Sequence, residues 1–280
     1  MPLTLMYITN EPDVAQIAER AGVDRIFIDL ETIGKEERQH NMDTVKSFHR
    51  IRDIGQIKPR LTKAELLVRI NKIHPGSAEE IDEVIRQGAD IVMLPYFKSV
   101  EEVKIFLDAA AGRVKTNLLV ETPEAVDHLD QILELDGINE IHVGINDLHL
   151  GYHRKFMFEL LADGTVEKIC KKAKERGLKY GFGGIARIGY GALPAERIIR
   201  EHYRLGSTMA IVSRSFCDTG KITDRDEISR IFSNGIEDIR TLEKEVSGEQ
   251  EKRNESYFEE NRREVVRIVD EITGKIAGGQ

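Results

Sequence analysis

The sequence predicts an α/β protein built as a (β/α)8 TIM barrel with extra C-terminal helices. Three observations carry that prediction. Eight short β-branched runs alternate with amphipathic helical stretches. Runs such as Ile26-Phe27-Ile28 and Ile91-Val92-Met93-Leu94 are apolar on consecutive positions, the pattern of strands covered on both faces. Glycine recurs at the helix-to-strand turns, in Ala21-Gly22-Val23, Gln87-Gly88-Ala89, Arg176-Gly177-Leu178 and Leu205-Gly206-Ser207, where a helix closes on a left-handed residue. A doubly wound open sheet shares this alternation, because periodicity does not count closure.

In chain order the strand runs are 3–9, 25–31, 65–71, 90–96, 116–122, 140–147, 179–186 and 209–216. Helical periodicity covers 12–21, 35–54, 78–87, 100–110, 124–135, 156–176 and 194–203. Beyond Cys217 the chain becomes dense in charge, with helices expected over 222–242 and 256–272. In the first, Ile228, Phe232, Ile236 and Ile239 form one apolar stripe, interrupted only by Gly235. Ser247-Gly248-Glu249-Gln250 is expected to break the two helices apart. The domain division is therefore a catalytic barrel over 1–246 and a charged helical extension over 247–280, either packed on a neighbouring subunit or solvated.

Composition bounds the function. The 280 residues are 40% hydrophobic and 32% charged, as in soluble globular proteins. A net charge of −8 leaves no excess of Lys or Arg to neutralise phosphates, which argues against a nucleic-acid partner. Cys170 and Cys217 stand far apart without a CxxC, fitting a reducing compartment and giving no zinc motif. No basic segment followed by a long apolar one opens the chain, and no run approaches the roughly 18 apolar residues of a membrane span. The expectation is a cytoplasmic protein with no membrane partner.

In a barrel the residues closing each strand form the active-site mouth. Here they include Asp29 and Glu31, Arg69 and Asn71, Pro95, Glu121, Asn146 and Asp147, Gly183 and Gly184, Ser213 and Arg214. Glu121 and Asp147 end successive strands. Neighbouring strands lie about 4.8 Å apart, so the two carboxylates can share one ion. Oxygen-only ligands point to Mg2+ or Mn2+; the alternative is that both acids cap turns. Arg69 closes an otherwise apolar strand and calls for a carboxylate partner, either substrate or Asp29 or Glu31. Asp29 and Glu31 share a strand face and can orient Arg69, contact metal-bound water or act as a base. Residues 181–189 are glycine-rich after the seventh strand, where Gly183, Gly184 and Arg187 are placed to bind a phosphate or carboxylate. His142, His149 and His153 cluster around the sixth strand end, as proton carriers or as ordinary structural histidines.

Five pieces in register with these strands resemble the HpcH/HpaI aldolase and citrate lyase β-subunit family. They are Phe27-Ile28-Asp29-Leu30-Glu31, Val68-Arg69-Ile70-Asn71, residues 88–95, Glu121-Thr122-Pro123 and Gly144-Ile145-Asn146-Asp147-Leu148. The resemblance implies a divalent-metal lyase acting on small 2-keto acids with aldehydes, or on acyl-CoA esters. It implies Glu121 and Asp147 as metal ligands and Arg69 as the group holding the substrate carboxylate and enolate oxygen. It also implies a homo-oligomer, a trimer or hexamer, in which C-terminal helices are often exchanged. Two departures stand out. Thr32 occupies the position where the aldolase branch carries histidine and the citrate lyase branch aspartate, and Leu119 replaces a glutamine. The base is left open among His149, Glu31 and a metal-bound hydroxide. The expected function is a metal-dependent carbon–carbon lyase of the aldolase type. An acyl-CoA ester lyase is the alternative within the fold, with only scattered Arg187 and Arg214 to meet CoA. A barrel that has lost catalysis and serves as a binding protein is the alternative outside it.

Overall fold

The computed structural model describes residues 1–34 and 49–278. Eight parallel strands close into a barrel in sequence order: β1 (Thr4–Ile8), β2 (Arg25–Asp29), β3 (Glu65–Arg69), β4 (Ile91–Leu94), β5 (Lys115–Val120), β6 (Glu140–Val143), β7 (Lys179–Ile185) and β8 (Met209–Val212). β8 pairs back onto β1 through Leu5 opposite Ala210, which excludes the open sheet.

The helices are α1 (Pro12–Ala21), α2 (Ile51–Ile57), α3 (Ser77–Arg86), α4 (Val100–Ala110), α5 (Pro123–Asp127), α6 (Leu129–Ile132), α7 (Ile145–Gly151), α8 (Glu159–Ala162), α9 (Thr165–Glu175), α10 (Ala195–Leu205), α11 (Arg225–Glu251) and α12 (Glu255–Gly278). Most of the helix expected over 35–54 lies outside the described residues; α2 carries its end. Three segments differ from the sequence reading. The sixth run stops at Val143, so Asn146 and Asp147 sit in the first turn of α7. Gly164, at φ +82°, divides the long helix expected over 156–176 into α8 and α9. α11 runs unbroken through Ser247-Gly248-Glu249-Gln250, and the chain turns instead at Arg253, at φ +53°.

Alternation along the strands builds two cores. Outward residues join the main core under the helices, while Met6, Phe27, Leu67, Ile91, Met93, Leu119 and Met209 fill the barrel interior. Below them the floor is ionic. Arg25 forks onto Glu140 at 2.6 and 2.7 Å and meets Glu65 at 3.0 Å, with Asn117 Nδ2 donating to Glu140 at 3.2 Å.

α11 covers α1 through Ile228, Phe232, Ile236 and Ile239, all buried. Gly235 in this stripe is a packing residue: a Cβ there would lie 2.5 Å from the Phe216 ring. α12 lays Phe258, Val265 and Val269 against its own chain, with Asn261 donating to Glu201 of α10 at 2.9 Å. The apolar stripe of the C-terminal extension is thus taken up by the barrel's own helices.

Candidate functional site

On β2 and β3 the inward residues pass from apolar to polar at the top of the strand. On β2 the inward series is Arg25, Phe27 and Asp29, then Glu31; on β3 it is Glu65, Leu67 and Arg69. Asp29 pairs with Arg69 in register. Arg69 Nε and Nη2 each donate to an Asp29 carboxylate oxygen at 2.9 Å, a bidentate clamp, and Nη2 lies 3.5 Å from Glu31. Asp29 and Glu31 are fully buried and Arg69 nearly so. Burial opposes the guanidinium charge, but Asp29, Glu31 and then Glu121 outweigh it and hold the Arg69 pKa well above its ordinary value. Arg69 is therefore a permanent cation, with its ring-side face 5.7 Å from the Phe27 centroid.

The influence of Glu121 on Arg69 ties this clamp to the β5 end. Glu121 is buried, and its Oε1 accepts the Tyr96 amide at 2.9 Å. Tyr96 makes that bond from φ +49°, a strained backbone for a bulky residue. The helix that follows is capped by Thr122, whose hydroxyl accepts from Ala125 and donates to Phe97, so Glu121 is not the capping acid. Gly144 lies alongside: a Cβ there would fall 2.7 Å from both Cβ and Oε2 of Glu121. Only glycine leaves room for the carboxylate.

Glu121 and Asp147 line one cavity of about 480 Å³, together with Tyr96, Lys98, Pro123 and Leu150. Asp147 stands in the first turn of α7. Two hard carboxylates suit Mg2+ or Mn2+, which keep waters and substrate oxygens in their remaining positions. Among the described residues no cluster of three or more His, Cys, Asp or Glu is arranged to hold a metal, so a closed all-protein cage is not on offer. Both cysteines are buried, and the polar side chains on the cavity wall carry only oxygen and nitrogen.

The other sequence candidates lie apart from this wall. His149 is buried, its Nδ1–H donating to the Asn146 carbonyl one turn back in its own helix. Gly183, at φ +54°, receives the Nε2–H of His142 on its carbonyl at 3.2 Å. Gly184 follows on the same strand. Arg187 stacks over Tyr190 at 4.5 Å and lines a separate cavity of about 290 Å³ beside α11. Burial lowers the pKa of His142 to about 4 and keeps it neutral. The side chain of Arg214 lies outside the described residues.

Sequence reasoning missed Tyr96, Lys98 and His49. Tyr96 and Lys98 follow the fourth strand without any motif of their own. Lys98 Nζ sits 2.9 Å from Glu124 and 5.6 Å from the Tyr96 ring centroid. His49 was hidden inside a helical pattern; its Nδ1 accepts the Asp29 amide at 3.0 Å. Asn71 has a related role, its Oδ1 accepting the amides of Thr32 and Ile33 at 2.9 and 3.0 Å. Thr32 is thus a residue of a pinned loop.

Residues 3–182 match the HpcH/HpaI aldolase/citrate lyase family. Among solved structures, an HpcH/HpaI aldolase from Desulfitobacterium hafniense is similar at 18% identity and TM-score 0.57, over 76% of this chain and 86% of that one. A family protein from Burkholderia cenocepacia gives 15% identity and TM-score 0.58, over 81% and 94%. The citrate synthase SbnG gives 15% identity and TM-score 0.57, over 90% and 95%. At these identities the likeness is one of fold. No curated protein matches in sequence.

Proposed function

We propose that this chain, which belongs to the HpcH/HpaI aldolase/citrate lyase family, is a divalent-metal-dependent carbon–carbon lyase that makes or breaks a bond to a pyruvate-like enolate. The observation that carries the reading is the meeting of Glu121 and Asp147 on one cavity wall, with the Arg69 charge held close to Glu121. Cleavage β to a carbonyl leaves an enolate, and the developing negative charge needs fixed positive charge around it.

Glu121 and Asp147 would hold Mg2+ or Mn2+. Bound there, the ion would polarise the keto group of a 2-keto acid and offset the enolate charge. Arg69 binds the substrate carboxylate and enolate oxygen. Asp29 fixes its plane through both guanidinium bonds, so little reorganisation is needed as charge develops. Glu31, at 3.5 Å from the same guanidinium, is placed to take the hydroxyl proton in cleavage and return it in addition. His149, with Nδ1 engaged by Asn146, is the alternative base. The substrates are small 2-keto acids and aldehydes.

Calorimetric titration of Mn2+ into the wild type and into Glu121→Ala and Asp147→Ala tests this directly, alongside oxaloacetate decarboxylation. Both substitutions are expected to abolish binding and turnover. Mn2+ affinity unchanged in both would sink the assignment.

A further inference from the structure

Parallel strands leave open edges where one ends before its neighbour. β1 pairs with β2 only as far as Ile8 opposite Phe27, and the amide of Thr9 takes the Phe27 carbonyl. On the other side, Leu30 donates to the Arg69 carbonyl on β3. The amide of Asp29 therefore points to the side that β1 has vacated. A buried amide without an acceptor costs about 1–3 kcal/mol, and here the acceptor is His49 Nδ1. His49 reaches it from the residues just before α2, a segment tied to the barrel top by Asn10 Nδ2 donating to Asp53 at 3.0 Å.

We infer that His49 is a positioning residue for the Asp29–Arg69 clamp, and that it works only while its Nδ1 is unprotonated. This rests on the reading of Arg69 given above. A backbone N–H is always a donor, so the Nδ1 facing it must be an acceptor, and a neutral ring carries its proton on Nε2. Protonating Nδ1 sets two donors against each other. The ring then leaves, the β2 edge loses its partner, and the carboxylate that fixes the Arg69 plane is no longer held from behind.

The chemistry suggests its own control. Asparagine places Oδ1 close to where histidine places Nδ1 and accepts at every pH, whereas leucine never accepts. Turnover of oxaloacetate with Mn2+ is measured from pH 8 to pH 5 for wild type, His49→Asn and His49→Leu. The wild type is expected to lose about tenfold per pH unit once His49 protonates. His49→Asn retains most of its turnover and loses that acid limb. His49→Leu is slow throughout, in kcat more than in KM. In parallel, the 15N–1H resonance of the Asp29 amide titrates in the wild type and stays fixed in His49→Asn. An unchanged acid limb in His49→Asn, or an Asp29 amide indifferent to pH in the wild type, overturns the inference. Absence of turnover in the wild type at pH 8 counts against the lyase reading instead, and the amide titration still decides the role of His49.

Discussion

A Cβ added to Gly144 would lie 2.7 Å from both Cβ and Oε2 of Glu121. Gly144 has φ −81°, so alanine is acceptable to its own backbone. The conflict is purely with the neighbouring strand end, and part of it falls on Cβ, which cannot swing aside. Gly144→Ala is expected to displace the Glu121 carboxylate. Mn2+ affinity and turnover should each fall by at least about tenfold, and the melting temperature should fall as well, since the Cβ contact is relieved only by moving backbone. Wild-type Mn2+ affinity in this variant would show that Glu121 need not sit where it does.

Arg69 and Asp29 form a buried fork that lysine cannot reproduce, since an ammonium has one point of contact where guanidinium has two. Arg69→Lys should fold and bind Mn2+, with kcat/KM reduced about 10²–10³-fold. Arg69→Met leaves Asp29 and Glu31 buried beside each other without their shared cation, and should lose about 3–5 kcal/mol in urea denaturation. Equal activity of wild type and Arg69→Lys would remove the bidentate argument.

The barrel floor gives a stability test independent of function. Glu140→Leu removes the bidentate partner of the buried Arg25 guanidinium, 3% exposed, leaving it Glu65 alone, and is expected to cost about 3 kcal/mol. Adding Arg25→Met removes the under-compensated buried charge, and Glu65 keeps Lys115 as its partner. The double variant should be more stable than Glu140→Leu alone, as measured by chemical denaturation.

His142 and His202 set an acid limit on folding. Burial lowers their pKa values to about 4 and about 3, with His142 adding to the effect on His202. The unfolded chain takes up both protons near pH 6.5, while the folded chain does not. Stability is therefore complete above that pH and falls as pH drops toward 4, by up to about 1.4 kcal/mol per unit for each histidine. Urea midpoints at pH 7.5, 6 and 5 should fall steeply in the wild type and less steeply in His202→Gln. Parallel slopes in the two proteins would argue against a neutral buried His202.

The repeating units of this barrel were legible because each is a local matter. Gly22 and Gly206 end α1 and α10 at positive φ, as their positions before the next strand predicted. Strands buried on both faces show it in consecutive apolar residues. The strand ends Asp29, Arg69 and Glu121 could be named for the same reason. Helix continuity was less legible. Nothing near Gly248 resists a helix, and the surrounding residues pack well enough to carry α11 through it.

The sequence by itself determined the order of strands and helices, the polar character of the mouth and the carboxylates that stand in it, because period and residue type act within a few positions of one another. Only the tertiary structure decided closure, the pairing of Arg69 with Asp29 and the arrival of His49 at the Asp29 amide. It also assigned the capping of α5 to Thr122 and the room beside Glu121 to Gly144. Each of these joins groups from different strands or loops. Their contact depends on barrel register and on which edge a neighbouring strand leaves open, and no local pattern encodes that.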